Sequence, residues 1–232
     1  MVYKRGTFTA NIAQSAAITH KLAPLMIIAG AGTGKTTTLL HRIYYLIEHY
    51  KLKPENILTI TYTEKAADEL KTRIVQNIGD TAKAMTISTF HAFCYNIVKE
   101  NQYPSNFVPI LMEEGDAIYL FLQNFDDLGP FESRLFVHDP IKSITKCFIP
   151  FINRLRDELI DPNEKPNLIL DEKNITDEII IQLNDLKRIY PLFQKWKKEQ
   201  NFVDFGDMIL DCYNLLSSNN AILKKVQNQY KY

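Results

Sequence analysis

Residues 25–48 run from four apolar side chains, Leu25-Met26-Ile27-Ile28, through Ala29-Gly30-Ala31-Gly32-Thr33-Gly34-Lys35-Thr36 into a segment whose Leu39, Ile43, Leu46 and Ile47 share one helical face. A short apolar run bounded by glycine reads as a buried strand, and spacing near 3.6 residues reads as a helix. Glycines between the two let the backbone turn tightly, so that successive N–H groups point inward. The helix behind them turns its positive end toward the same point. Lysine and a hydroxyl closing such a loop are the groups that meet β- and γ-phosphates and Mg²⁺. Ala29 stands where the commonest form of the pattern has glycine. This pattern confines the segment to an α/β architecture that binds a nucleoside triphosphate.

The alternation continues downstream. Lys53-Pro54 breaks the helix, and Ile57-Leu58-Thr59-Ile60 gives a second strand. Thr63 is a candidate cap for a helix whose stripe is Ala66, Ala67, Leu70, Ile74 and Ile78. Gly79-Asp80 stops that helix, Met85-Thr86-Ile87-Ser88 is a third strand, and a helix carrying Phe93, Ile97 and Val98 follows. Strands separated by helices of this length imply a parallel sheet with right-handed crossovers. The second strand runs into Thr61, Tyr62 and Thr63, and the third into Thr89, Phe90 and His91. Ligands gather at the carboxyl ends of strands in open α/β sheets. These hydroxyls and rings therefore suit phosphate hydrogen bonds and base stacking, although each is also what a capped helix start beside a core aromatic looks like.

Residues 101–200 differ in character. Prolines at 104, 109, 130, 140, 150, 162, 166 and 191 punctuate them, and apolar residues such as Ile118, Leu122 and Phe125 have helical spacing. They read as a mostly helical second subdomain. Residues 201–232 return to a helical pattern through Met208, Ile209, Cys212, Leu215 and Leu216. The expected organisation is thus a nucleotide-binding core over 1–100, an inserted helical subdomain over 101–200, and a return to the core over 201–232.

Composition removes several alternatives. The chain has 232 residues, 46% of them hydrophobic, with 27 Lys+Arg against 27 Asp+Glu. That excludes a disordered or collagen-like chain, and neutrality excludes a protein held to nucleic acid by bulk positive charge. The neutrality is a sum of blocks: residues 1–100 carry +5, 101–200 carry −5 and 201–232 carry 0. Whether Lys142, Lys146, Arg154 and Arg156 form a nucleic-acid-facing patch is open, and plain solvation explains them as well. Cys94, Cys147 and Cys212 are widely spaced and support neither a zinc site nor a disulfide framework. No signal peptide or membrane-length apolar stretch is present, so a soluble, cytoplasmic setting with no membrane partner is expected.

Gln14 lies 21 residues before Lys35. An amide that donates and accepts can pair with the N6/N7 edge of adenine, yet alone Gln14 is a surface glutamine. In company it means more. The ordered set resembles the amino-terminal part of the UvrD/Rep/PcrA family of superfamily 1 DNA helicases. It comprises Gln14, residues 29–37 (Ala-Gly-Ala-Gly-Thr-Gly-Lys-Thr-Thr), Thr61-Tyr62-Thr63-Glu64-Lys65-Ala66-Ala67, Thr89-Phe90-His91, and Val203-Asp204-Phe205-Gly206-Asp207-Met208-Ile209. The resemblance implies a RecA-like core that uses ATP and Mg²⁺ and acts on single-stranded DNA or a single-strand/duplex junction, with a second motor domain as partner. It implies that Gln14 reads adenine. Ala29, Gly30, Ala31, Gly32, Thr33, Gly34, Lys35, Thr36 and Thr37 would hold phosphates. Lys35 and Thr36 would be catalytic, with Thr36 on Mg²⁺, while Thr61, Tyr62, Thr63, Thr89, Phe90 and His91 would contact DNA. Tyr62 replaces the family's usual Phe and keeps a stacking face. Glu64 replaces the usual Asn, and no phosphate contact is carried over to it.

In this family the Asp-Phe-x-Asp segment is followed by an apolar strand ending in Asp-Glu, which orients Mg²⁺ and the attacking water. Here the chain closes at Gln227-Asn228-Gln229-Tyr230-Lys231-Tyr232. The expectation is therefore a core incomplete at its C-terminus, able to bind ATP but hydrolysing it negligibly. A rival places the acidic motif at Asn167-Leu168-Ile169-Leu170-Asp171-Glu172, which would make a complete small NTPase. That run is short, follows Pro166 and precedes Asp204. A further alternative, from another class, is a stand-alone nucleotide-binding regulatory module without DNA activity.

Overall fold

The computed structural model describes residues 2–104, 108–133, 138–160 and 176–232, which divide into two compact units. The first holds residues 1–93 and 219–232. Lys4–Arg5 (β1) and Phe8–Thr9 (β2) form an antiparallel pair, joined through Gly6 with a left-handed backbone. Asn11 caps Ile12–Ile18 (α1) in a reciprocal box with Gln14. Lys35–Glu48 (α2) buries Leu40, Ile43, Tyr44 and Leu46, whereas Leu39, expected on that face, lies at its exposed margin.

Leu58–Thr61 (β3), Glu64–Ile78 (α3) and Thr86–Thr89 (β4) form the expected strand–helix–strand unit, with β3 and β4 parallel and Leu58 opposite Thr86. Thr63 caps α3 by accepting from the Ala66 N–H at 3.2 Å, and Gly79 ends it with φ +92°. Leu70 and Ile74 pack with Leu40, Ile43, Leu46, Ile57 and Met85 in one core, and Ala67 on the same helix is buried too. Phe90–Gln102 (α4) starts directly from β4.

The strand expected at Leu25–Ile28 is a correction. Among the described residues the sheets contain only the pairs β1–β2, β3–β4 and one further short pair, so residues 25–28 have no neighbouring strand. The stretch keeps an extended alternation, with Leu25 and Ile27 roughly half as exposed as Met26 (81%) and Ile28 (90%). A strand exists only through cross-strand hydrogen bonds, and without a partner ladder β-propensity leaves an extended segment. Among the described residues the parallel sheet of this unit is thus two strands, beside the antiparallel β1–β2 pair.

Arg42 of α2 draws several remote segments of this unit together. Its guanidinium donates to the carbonyls of Ile18 (2.8 Å), His20 and Lys21 (3.0 Å), and to the Tyr232 hydroxyl (2.6 Å). The tail meanwhile reaches the start of β3, where Leu58 N–H donates to the Tyr232 carbonyl at 2.9 Å.

The second unit, residues 94–218, is mostly helical and takes in residues 201–218, which the sequence pattern groups with the core. Ile110–Leu111 (β5) pairs in parallel with Phe202–Val203 (β6). Around them stand Glu114–Gln123 (α5), Pro140–Ser143 (α6), Ile149–Asp157 (α7), Asp177–Glu199 (α8) and Phe205–Ser218 (α9). Leu120, Phe121, Phe148, Ile152, Ile189, Phe193 and Trp196 fill the core, with Phe121 stacked on Phe193 at 4.8 Å. Leu122, expected on the α5 face, is exposed; the buried face carries Ala117, Leu120 and Phe121. Pro191 does not break the chain but sits inside the 23-residue α8. Asn220–Gln229 (α10) belongs to the first unit. Asp171 and Glu172 of the rival acidic motif, with Pro162 and Pro166, lie outside the described residues.

Candidate functional site

The loop at residues 29–34 is held in shape by its own groups. Gly32 (φ +73°) and Gly34 (φ +84°) take left-handed backbone, which glycine adopts at low cost and a residue with a β-carbon does not. Gly34 is needed twice over, since a β-carbon there would meet Gln14 Nε2 at 3.1 Å. Thr33 Oγ1 donates to the Gly30 carbonyl at 2.8 Å. Lys35, the first residue of α2, turns its ammonium back onto the carbonyls of Ala29 (3.0 Å) and Gly30 (3.1 Å). These residues fit a polyphosphate: the ammonium is gathered at the loop's mouth and the start of α2 faces the same space. Thr36 and Thr37 continue α2, with Thr36 exposed, as a metal-ligating hydroxyl requires.

Gln14 comes to this loop from α1. Its Oε1 accepts the Asn11 N–H at 3.1 Å and its Nε2 donates to the Thr33 carbonyl at 3.2 Å. Each end keeps one more position, a lone pair and an N–H, which is the pairing an adenine edge presents.

The two strand ends lie side by side, because β3 and β4 run parallel in a register that sets Thr61 opposite Thr89. Tyr62 is 98% exposed and Phe90 50%, so both rings offer a face to solvent. Hydrogen bonds occupy much of the hydroxyl chemistry. Thr61 Oγ1 donates to the Thr63 carbonyl at 3.0 Å, and Thr63 Oγ1 is the α3 cap. Thr89 Oγ1 donates to Glu64 Oε1 at 2.7 Å and accepts the Ala92 N–H at 3.2 Å. His91 follows Phe90 on the first turn of α4.

In the second unit the Asp-Phe-Gly-Asp segment builds a charge network that sequence patterning did not expose. Asp204 and Asp207 cap α9 reciprocally: Asp204 N–H donates to Asp207 at 3.0 Å and Asp207 N–H to Asp204 at 2.9 Å. Arg156 donates to both Asp204 oxygens at 2.8 and 2.9 Å and lies 3.0 Å from Asp207. Lys197 Nζ bonds Asp204 at 2.6 Å and also reaches Asp207. Burial would raise the Asp204 carboxyl, but Arg156 and then Lys197 outweigh it and hold it at about 2. Asp211, one turn along, is pushed up to about 6 by burial and by Asp207. Arg156 is thus no member of a surface patch, whereas Arg154 is exposed and pairs with Glu158 at 2.6 Å. The Asp-x-x-Asp spacing of a reciprocal cap was the available signal; the cations arrive from residues 48 and 7 positions away.

Elsewhere in this unit Cys94 and Cys212 are buried and share a hydrogen bond, which raises the Cys94 thiol and lowers that of Cys212. Among the described residues no helix is long and apolar enough to cross a membrane.

Compared with known proteins, residues 10–232 match the family described as the UvrD/REP helicase N-terminal domain. The chain is 31% identical over 230 residues to the ATP-dependent DNA helicase PcrA of Staphylococcus aureus strain Mu50, covering 96% of this chain. The PcrA of Staphylococcus epidermidis strain ATCC 12228 is similar at the same 31% identity and coverage. The chain spans only 28% of the length of these relatives.

Proposed function

The chain belongs to the UvrD/REP helicase N-terminal domain family, and on that premise we propose that it is the nucleotide-binding part of an ATP-dependent motor that moves along single-stranded DNA and opens duplex. The observation that carries this is the loop geometry, in which Lys35 reaches back across the left-handed Gly32 and Gly34 to bond the Ala29 and Gly30 carbonyls. ATP bound with Mg²⁺ supplies the phosphoanhydride whose cleavage drives such a motor.

The chain's own residues would act as follows. Lys35 exchanges the loop carbonyls for β- and γ-phosphate oxygens, while the N–H groups of Gly30 to Thr37 line the same anion. Thr36 offers its hydroxyl to Mg²⁺, and Gln14 reads adenine from its seat on Thr33. Tyr62 and Phe90 stack on bases at the strand ends, with Thr61, Thr63, Thr89 and His91 beside the backbone of a single strand or a junction. Residues 1–93 and 219–232 form the nucleotide-binding core, and residues 94–218 the insert. A second motor domain is the partner that completes the DNA cleft. The 232 residues alone bind ATP with negligible turnover, since the family's Asp-Glu pair follows the Asp-Phe-x-Asp segment and its helix.

Titration with a fluorescent ATP analogue and Mg²⁺ tests the nucleotide half. Saturable binding weakened at least about tenfold by Lys35→Ala is expected. Equal binding by wild type and variant, or robust hydrolysis lost in Asp171→Asn/Glu172→Gln, overturns the assignment. Anisotropy of a labelled oligothymidylate at two salt concentrations tests the other half, and binding that weakens steeply with salt is expected. Nucleotide-dependent capture of a protein with no oligonucleotide affinity would favour a regulatory module.

A further inference from the structure

Thr89 ends β4 at the centre of the strand-end surface, and its hydroxyl has no proton to spare. A hydroxyl carries one hydrogen and two lone pairs. Thr89 commits the hydrogen to Glu64 Oε1 at 2.7 Å, and one lone pair takes the Ala92 N–H at 3.2 Å. The acceptor is a carboxylate, which shortens and strengthens such a bond. Thr89 is itself 6% exposed, so its hydroxyl has little water to turn to, while Glu64 is exposed. Glu64 is also the first residue of α3. Its charge therefore stands at the end of β4, on the strand-end surface where Thr61 lies opposite Thr89.

An oxyanion already holds the donor that a backbone phosphate would use. We propose that Glu64 is an internal competitor for nucleic-acid phosphate: its carboxylate keeps the Thr89 proton and sets a negative charge against the strand, lowering affinity until the Thr89–Glu64 bond opens. This inference rests on the single-strand reading of the strand ends. It adds to that reading a residue that sets affinity from the opposing side, through repulsion and by withholding a donor.

The test is anisotropy of a fluorescein-labelled oligothymidylate with the full 232-residue chain, wild type against Glu64→Ala and Glu64→Gln. Alanine removes both the charge and the acceptor and should tighten binding roughly three- to tenfold. Glutamine removes the charge but keeps an acceptor, so its gain should be smaller. Thr89→Val should cost more affinity in the Glu64→Ala background than in wild type, because only there is the hydroxyl released. Glu64→Ala leaves the buried Thr89 hydroxyl without its acceptor and should unfold at a somewhat lower temperature, so circular dichroism first checks that each variant is fully folded at the assay temperature. Salt-dependent binding by wild type with no gain in either Glu64 variant overturns this proposal and leaves the single-strand reading standing. No binding by wild type or Glu64→Ala overturns both.

Discussion

A β-carbon on Gly206 would stand 2.7 Å from Arg156 Nη1 and 2.9 Å from Arg156 Cδ. The glycine is there for space, since the Arg156 side chain passes close to Gly206 while it bonds both oxygens of Asp204. Arg156 has little freedom to retreat, because its side chain is 5% exposed. Gly206→Ala should therefore cost about 1–3 kcal/mol through overpacking, despite alanine's better helix propensity. A urea midpoint at or above wild type would refute this.

Lys197 has a different kind of importance. Its ammonium is 2% exposed and bonds Asp204 at 2.6 Å, and Asp207 is its other partner. Lys197→Met keeps an apolar side chain in place but removes the ammonium, which lies 5.4 Å from the Phe193 ring centre, and leaves two carboxylates to one guanidinium. Removing one member of a buried ion network costs about 3–5 kcal/mol. Adding Asp207→Asn should recover part of that loss by removing the excess charge. Equal stability of Lys197→Met and the double variant would contradict the account.

Stability should also depend on pH with a definite sign. Asp204 sits at about 2 in the folded chain, so the stabilisation it gives is complete above about pH 4 and lost as pH falls toward 2. Asp211 sits at about 6, so the folded chain holds an extra proton between about pH 4 and 6 and loses stability as pH rises through that window. Asp211→Asn should flatten the fall between pH 4 and 6 and leave the loss below 4 intact. Parallel curves for wild type and variant across both windows would rule this out.

Arg42 should tolerate no replacement by lysine. Its fork serves the carbonyls of Ile18, His20 and Lys21 and the Tyr232 hydroxyl at once. An ammonium cannot span those positions, so buried carbonyls go unpaired, at about 2–4 kcal/mol. Tyr232→Phe removes one partner and should cost nearer 1 kcal/mol. Comparable losses for the two variants would mean that the carbonyls are not what Arg42 satisfies.

What was legible in the residues was whatever is decided locally. Ala66, expected in the α3 stripe, is exposed, but the Thr63 cap, the Gly79 stop and the Ala67, Leu70 and Ile74 positions of that stripe depend on neighbours within a turn or two and stand where patterning put them. So does the loop of 29–36, whose glycines act through their own backbone. Remote pairing was not legible. Leu25–Ile28 has the composition of a strand, but composition does not supply the hydrogen-bonding neighbour. Arg156 looks like any solvated helix arginine until Asp204, 48 residues on, folds over it. The Thr89 proton escaped notice for the same reason, since its acceptor lies 25 residues upstream.

The extended stretch at 25–28 also sets a clock. Amides without a ladder partner exchange with deuterated solvent at close to the rate of an open chain, while those of β3, paired with β4, wait for the pair to part. This apolar stretch without a ladder partner runs straight into the phosphate loop. A nucleotide seated on Lys35 would tighten the residues just behind it and slow their labelling. Residues 25–28 become a built-in gauge of loop occupancy, one that mass spectrometry can time without attaching any reporter to the site.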